Sequence, residues 1–118
     1  MPMKECEVSY FQELQEKSGV LILIDVRESD EFGEVSAPCA KNYPLSTLDV
    51  QKVLSDLGLN SESDQSLYFI CRSGRRSASA AQKFIDAGFE NTYNLLGGMM
   101  KWQELGLPTR STPHEQIS

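Results

Sequence analysis

Two uninterrupted apolar runs, "VLILIDV" at residues 20–26 and "SLYFI" at 66–70, constrain the fold more than any other feature. Each has the length of a strand, and neither alternates polar with apolar residues. A strand with one wet face alternates, whereas a strand buried on both faces does not. Such strands belong inside a sheet that is covered above and below. The segments around them carry helix signals. Ser9 and Gln12 have capping-box spacing beside Phe11 and Leu14, which predicts a short helix ending near Ser18–Gly19. Ser29 is expected to cap a short helix in "RESDEF", and Ser46 one striped by Leu48, Val53, Leu54 and Leu57 and closed by Gly58. Pro38 and Pro44 make "SAPCAKNYPL" irregular. Ala78, Ala81, Phe84 and Ile85 mark a further helix closed by Gly88. "NTYNL" is a third strand, and "GGMMKWQELG" a turn and short helix ended by Gly106 and Pro108. Strands alternate with helices and no Asn-Gly hairpin turn occurs. The predicted class is α/β, a mostly parallel central sheet flanked by helices on both faces. One domain, 1–110, is expected, with 111–118 as a frayed tail.

Composition narrows the function. The 118 residues carry a net charge of -6, which argues against nucleic-acid binding. No apolar run reaches the roughly 20 residues of a membrane span, and "MPMKECEVSYF" has no hydrophobic signal core. Three cysteines, Cys6, Cys39 and Cys71, make an odd set without a CxxC pair, so neither a disulfide framework nor a zinc site is expected. The only histidine, His114, sits in the polar tail, which disfavours a Cys-His catalytic pair. A reducing cytoplasm is the expected location, where a lone thiol stays reduced.

Against this acidic background stands "CRSGRRS" at 71–77, between the second strand and the alanine-rich helix. Ligands of parallel α/β sheets bind beyond the carboxyl ends of strands. Cys71 is placed there. Successive N–H groups after it can curl inward and merge into the next helix's N-terminus, with Gly74 permitting the curl. Arg72, Arg75 and Arg76 add positive charge. Cations at the positive end of a helix dipole are unfavourable unless an anion sits among them. Every term favours the thiolate. A free cysteine is only a few per cent ionised at neutral pH, and a downward shift of about 2 units makes the thiolate the majority form. Cys71 is the candidate nucleophile. Ser73 and Ser77 belong to the same loop, where either could also cap the helix.

Cysteine-dependent phosphatases and low-molecular-weight arsenate reductases place five residues between the cysteine and an arginine that grips the phosphoryl oxygens. Here Ser77 occupies that position and Arg76 comes one residue early. The smaller ring of amides suits a single sulfur atom better than a tetrahedral oxyanion, so phosphatase and reductase are minor readings.

Four segments together resemble the rhodanese-like family, in its single-domain thiosulfate sulfurtransferase form: "LIDVRESDEF", "APCAKNYPL", "CRSGRRSASAA" and "NLLGGMMKWQELGLP". The likeness covers nearly the whole chain. It implies a rhodanese-like fold and a cofactor-independent, metal-free ping-pong reaction. Cys71 would take the outer sulfur of a donor such as thiosulfate as a persulfide, then pass it to cyanide or a protein thiol, thioredoxin-like proteins included. Arg72, Ser73, Gly74, Arg75, Arg76 and Ser77 would form the donor-binding loop, with Arg75 and Arg76 drawing the donor's sulfonate. Asp25 and Arg27 would brace the site, Gly97 and Gly98 would serve as turn residues, and Trp102 as core. The alternative within the family is a persulfide-relay or protein-interaction module with little activity on small donors. Two departures bear on donor preference: Ser36 replaces a family histidine and Cys39 a glycine. Cys39 admits two readings, a filler thiol, which is favoured, or a thiol that resolves a Cys71 persulfide or forms a disulfide with Cys71.

Overall fold

Five strands form one wholly parallel sheet, ordered β1-β5-β4-β2-β3, in a computed structural model that describes residues 3–111. In chain order the elements are β1 (Lys4–Glu7), α1 (Val8–Ser18), β2 (Ile22–Asp25), α2 (Ser29–Glu34), β3 (Ala40–Asn42), a 3-10 turn (Leu45–Thr47), α3 (Val50–Leu57), β4 (Leu67–Ile70), α4 (Arg75–Asp86), β5 (Thr92–Leu96) and α5 (Gly98–Glu104). The tail and His114 lie outside the described residues, apart from residue 111. No helix among the described residues is long and apolar enough to cross a membrane.

The two apolar runs are inner strands, as their lack of alternation requires. All four residues of β4 are buried, and β4 lies between β5 and β2. Its side chains divide between two cores by strand periodicity. Tyr68 and Ile70 face Val8, Phe11, Met99 and Trp102 from α1 and α5; Leu67 and Phe69 face Val53, Leu54, Ala80, Ala81 and Phe84 from α3 and α4. Phe11 meets Tyr68 edge-on at 5.1 Å, and Tyr68 stacks on Tyr93 at 4.9 Å. Trp102 is core, with its indole N–H donated to Pro108 C=O at 2.8 Å.

Several local expectations shift. Strands β1 and β3 carry no strand signal in the sequence, because both are short edges: β1 buries only Cys6, and β3 has three residues. None of the three expected serine caps holds. Helix α1 starts one residue before Ser9, with Glu7 as its N-cap and no side-chain cap. Glu28 and Glu31 make the capping box of α2 in place of Ser29. Asp49 caps α3 by accepting from Lys52 N–H, while Ser46 sits in the 3-10 turn and donates to Glu28. On α4, Ala80 is fully buried and Ala78 only half-buried. Ser36, in the irregular stretch, pairs antiparallel with Arg110 through two N–H···O=C bonds of 2.9 Å.

Candidate active site

Residue 71 leaves the carboxyl end of the central strand, and the chain then turns straight into α4. Gly74 makes the turn possible. Its φ of 113° lies where side-chain-bearing residues are strained, and it serves as the N-cap of α4. Its N–H donates to Cys71 Sγ at 3.0 Å, and Ser77 Oγ lies 3.3 Å from the same sulfur. Asn94 on β5 fixes this arrangement from behind. Its Nδ2 donates to Gly74 C=O at 3.1 Å, and its Oδ1 accepts from the Ser77 hydroxyl. The sequence held no signal for Asn94, which reads there as one more strand residue.

The thiol itself is buried, with 1% exposure, and packs with the α3/α4 core. Burial pushes the Cys71 pKa up, but the Ser77 hydroxyl and the N–H groups of Ser77, Gly74 and Ser73 outweigh it, leaving the thiol below its ordinary 9.0. Hydrogen bonds from the loop, rather than the charges of Arg72, Arg75 and Arg76 expected from the sequence, are what lower it. By contrast, burial raises Cys6 and Cys39. The thiolate ultraviolet absorbance of the protein, less that of Cys71→Ala, is therefore expected to titrate with a midpoint below 9.0. Ser77→Ala should move that midpoint upward, so that less thiolate is present at any given pH. An unmoved midpoint would remove Ser77 from the site.

The arginines divide into two kinds. Arg76 is half-buried and clamped by Glu31, with Nη1 to Oε1 at 2.7 Å and Nη2 to Oε2 at 2.9 Å. The Arg76 guanidinium holds the Glu31 carboxyl down at about 2. The ion pair therefore stabilises the fold fully above the ordinary carboxylate range, and that contribution declines as pH falls below it and is gone once pH passes about 2. Arg72 and Arg75 are exposed and have no ion-pair partner among the described residues.

Asp25 and Arg27 form a buried pair beside the loop. Arg27 Nη2 donates to Asp25 Oδ2 at 2.8 Å and to Val35 C=O at 2.6 Å, while Nε and the backbone N–H of Arg27 reach Oδ1 at 3.0 and 2.9 Å. Asn42 Nδ2 ties the same corner by donating to Asp25 and Arg27 C=O, each at 3.0 Å. Arg27, Glu31, Arg72 and Met99 share the lining of an open cleft of about 370 Å³.

From the far side, the first N–H groups of α5 dock on the loop backbone. Met99 N–H donates to Cys71 C=O at 2.8 Å and Met100 N–H to Arg72 C=O at 3.0 Å. Orphan donors of one helix thereby fix the peptide of Cys71 itself. Gly98 is thus more than the turn residue its sequence context suggests. Cys39 packs against the α1/α5 core, on the opposite sheet face from Cys71, and all three cysteines are free. That placement favours Cys39 as a filler over a disulfide partner.

A family model described as Rhodanese-like domain matches residues 7–105. "Putative sulfurtransferase YtwF" of Bacillus subtilis (strain 168) is 35% identical, over 87% of this chain and 93% of its own length. "Putative sulfur carrier protein YrkF" of the same organism is 33% identical over 83% of this chain, which spans only about half of that relative, 50%. Among solved structures, a rhodanese-related protein from Thermoplasma volcanium is similar with a TM-score of 0.74 and 29% identity, over 91% of this chain and 97% of that one.

Proposed function

Since the chain belongs to the rhodanese-like family, we propose that it is a sulfurtransferase carrying sulfane sulfur on Cys71. The observation that carries the reading is the set of backbone N–H groups around Sγ, the Gly74 amide foremost, with Ser77 Oγ 3.3 Å from the sulfur, at the carboxyl end of β4. Such donors favour a negative sulfur. They would serve the resting thiolate and, after one sulfur is added, the persulfide. The Cys71 thiolate attacks the outer sulfur of the donor. With thiosulfate, the S–S bond breaks, its electron pair leaves with sulfite, and the outer sulfur stays on Cys71 as a persulfide anion. Thiolate plus dianion thus give persulfide plus sulfite dianion, with charge conserved. An acceptor nucleophile then takes the terminal sulfur and returns the thiolate; cyanide leaves as thiocyanate, and a protein thiol leaves as a persulfide. This is two-step covalent catalysis. Arg72 and Arg75, exposed at the rim, would draw the donor, and Asp25 and Arg27 would brace the corner. A reducing compartment such as the cytoplasm would suit three free thiols.

A second reading, relay of a persulfide between proteins, is favoured by one observation. The fork of Arg76 is already occupied by Glu31, which leaves the mouth less suited to a small dianion.

Intact-mass analysis after incubation with thiosulfate tests the proposal. The expected result is a gain of one sulfur atom, located on Cys71 by peptide mapping, lost on adding cyanide and absent in Cys71→Ala. A gain that persists in Cys71→Ala, or no gain with thiosulfate and none with a protein persulfide donor, would overturn it.

A further inference from the structure

We infer that Glu31 is a specificity-determining residue that weakens the site's preference for dianionic sulfur donors. The inference rests on the sulfurtransferase reading above and deepens it. Both carboxylate oxygens of Glu31 engage the two Nη atoms of Arg76, the arginine one residue short of position 77, where cysteine-dependent phosphatases hold their oxyanion-gripping arginine. An arginine recognises an oxyanion by presenting two parallel N–H groups. Here that pair of donors is spent inside the protein. The carboxylate also lines the open cleft beside Arg27 and Arg72, so its charge faces any anion that enters there. The second cleft arginine, Arg27, is likewise matched by the buried Asp25. Two of the four arginines around the loop are therefore neutralised in place. Only Arg72 and Arg75, both exposed at the rim, are left without an ion-pair partner among the described residues.

Glu31 also has a structural task. Its Oε1 accepts the Glu28 N–H at 3.0 Å, closing the capping box of α2. Glutamine keeps a carbonyl oxygen for that bond and for one Arg76 N–H; it removes the charge and gives up the second Arg76 bond, where its NH2 would face Nη2. Glu31→Gln therefore separates electrostatics from architecture better than truncation does.

The test compares two donors that transfer the same kind of sulfur and differ in charge: thiosulfate, a dianion, and methanethiosulfonate, a monoanion. In each, the Cys71 thiolate attacks the terminal sulfur. Sulfite leaves from the first and methanesulfinate from the second, each carrying the electron pair of the broken S–S bond. Coulomb energy is linear in donor charge at a fixed place. Removing the Glu31 charge should raise the second-order rate of persulfide loading about tenfold for the dianion and only about threefold for the monoanion at low salt. The excess for the dianion should shrink as ionic strength rises. A loosened loop would alter both donors alike, so the ratio between them within one protein reports the charge alone. Glu31→Ala provides a second variant, with a ratio shifted in the same direction. Equal changes for both donors, or none, would overturn the role of Glu31 and leave the sulfurtransferase reading intact. A wild-type chain that loads sulfur from neither donor nor from a protein persulfide would end both.

Discussion

Gly98→Ala is expected to destabilise the protein by about 2–5 kcal/mol and to abolish sulfur loading at Cys71. Two costs combine. Gly98 has φ of 52°, in the left-handed region that side-chain-bearing residues occupy at a cost of about 1–2 kcal/mol. A Cβ there would also press into Cys71 O and lie 2.7 Å from Arg72 O. Both are backbone atoms, and neither can rotate away. Relief requires α5 to retreat from the loop, which breaks the Met99 and Met100 N–H bonds to those same carbonyls. Each such bond is worth about 0.5–1.5 kcal/mol. Gly106→Ala is the control. Its φ of 70° is similarly unfavourable, but a Cβ there meets nothing within 4 Å, so the loss should stay near 1 kcal/mol. Urea midpoints and persulfide mass measure the two effects. A Gly98→Ala protein with the wild-type midpoint and full loading would show that α5 does not hold the loop.

Arg27→Met should cost about 3–5 kcal/mol, the range for breaking a buried ion pair from one side. Asp25 is fully buried and Arg27 is 4% exposed. Without the guanidinium, the carboxylate keeps only the residue-27 backbone N–H, and Val35 C=O loses its 2.6 Å donor. Removing both charges should be gentler. Asp25→Asn combined with Arg27→Met is expected to be more stable than Arg27→Met alone, because no unmatched charge remains inside. If the double variant is the worse of the two, the cost lies in packing rather than in an orphaned carboxylate. Chemical denaturation of the four proteins of the cycle decides between these.

The inner strands were legible because burial on both faces writes itself as an unbroken apolar run. Edge strands leave no such record. "KECE" is a strand because β5 lends it a register, Cys6 opposite Leu95, and nothing within those four residues says so. The serine caps failed for a related reason. Ser, Asp and Glu can all accept an N–H at a helix start, and the choice between Ser29 and Glu28 depends on where the chain leaves β2. At the site, Cys71, Gly74 and Ser77 stood out because they lie within one short loop. Glu31 and Asn94 did not. They are 45 and 17 residues from their partners Arg76 and Ser77, and only the folded chain brings them together. In one dimension Arg76 stood out as the strongest anion-binding candidate of the three arginines; in three, it is the one claimed by a carboxylate, and Arg72 and Arg75 are not.

The donors aimed at Sγ come mainly from the main chain, through Gly74 and its neighbours, while the side chains of Arg72, Ser73 and Arg75 are turned to solvent. Peptide amides are the same whatever residue bears them. Exchanging any of those three outward side chains should therefore leave the amides around Sγ where they are, so the anion-favouring seat and the chemistry of the loop's outer face can be altered independently.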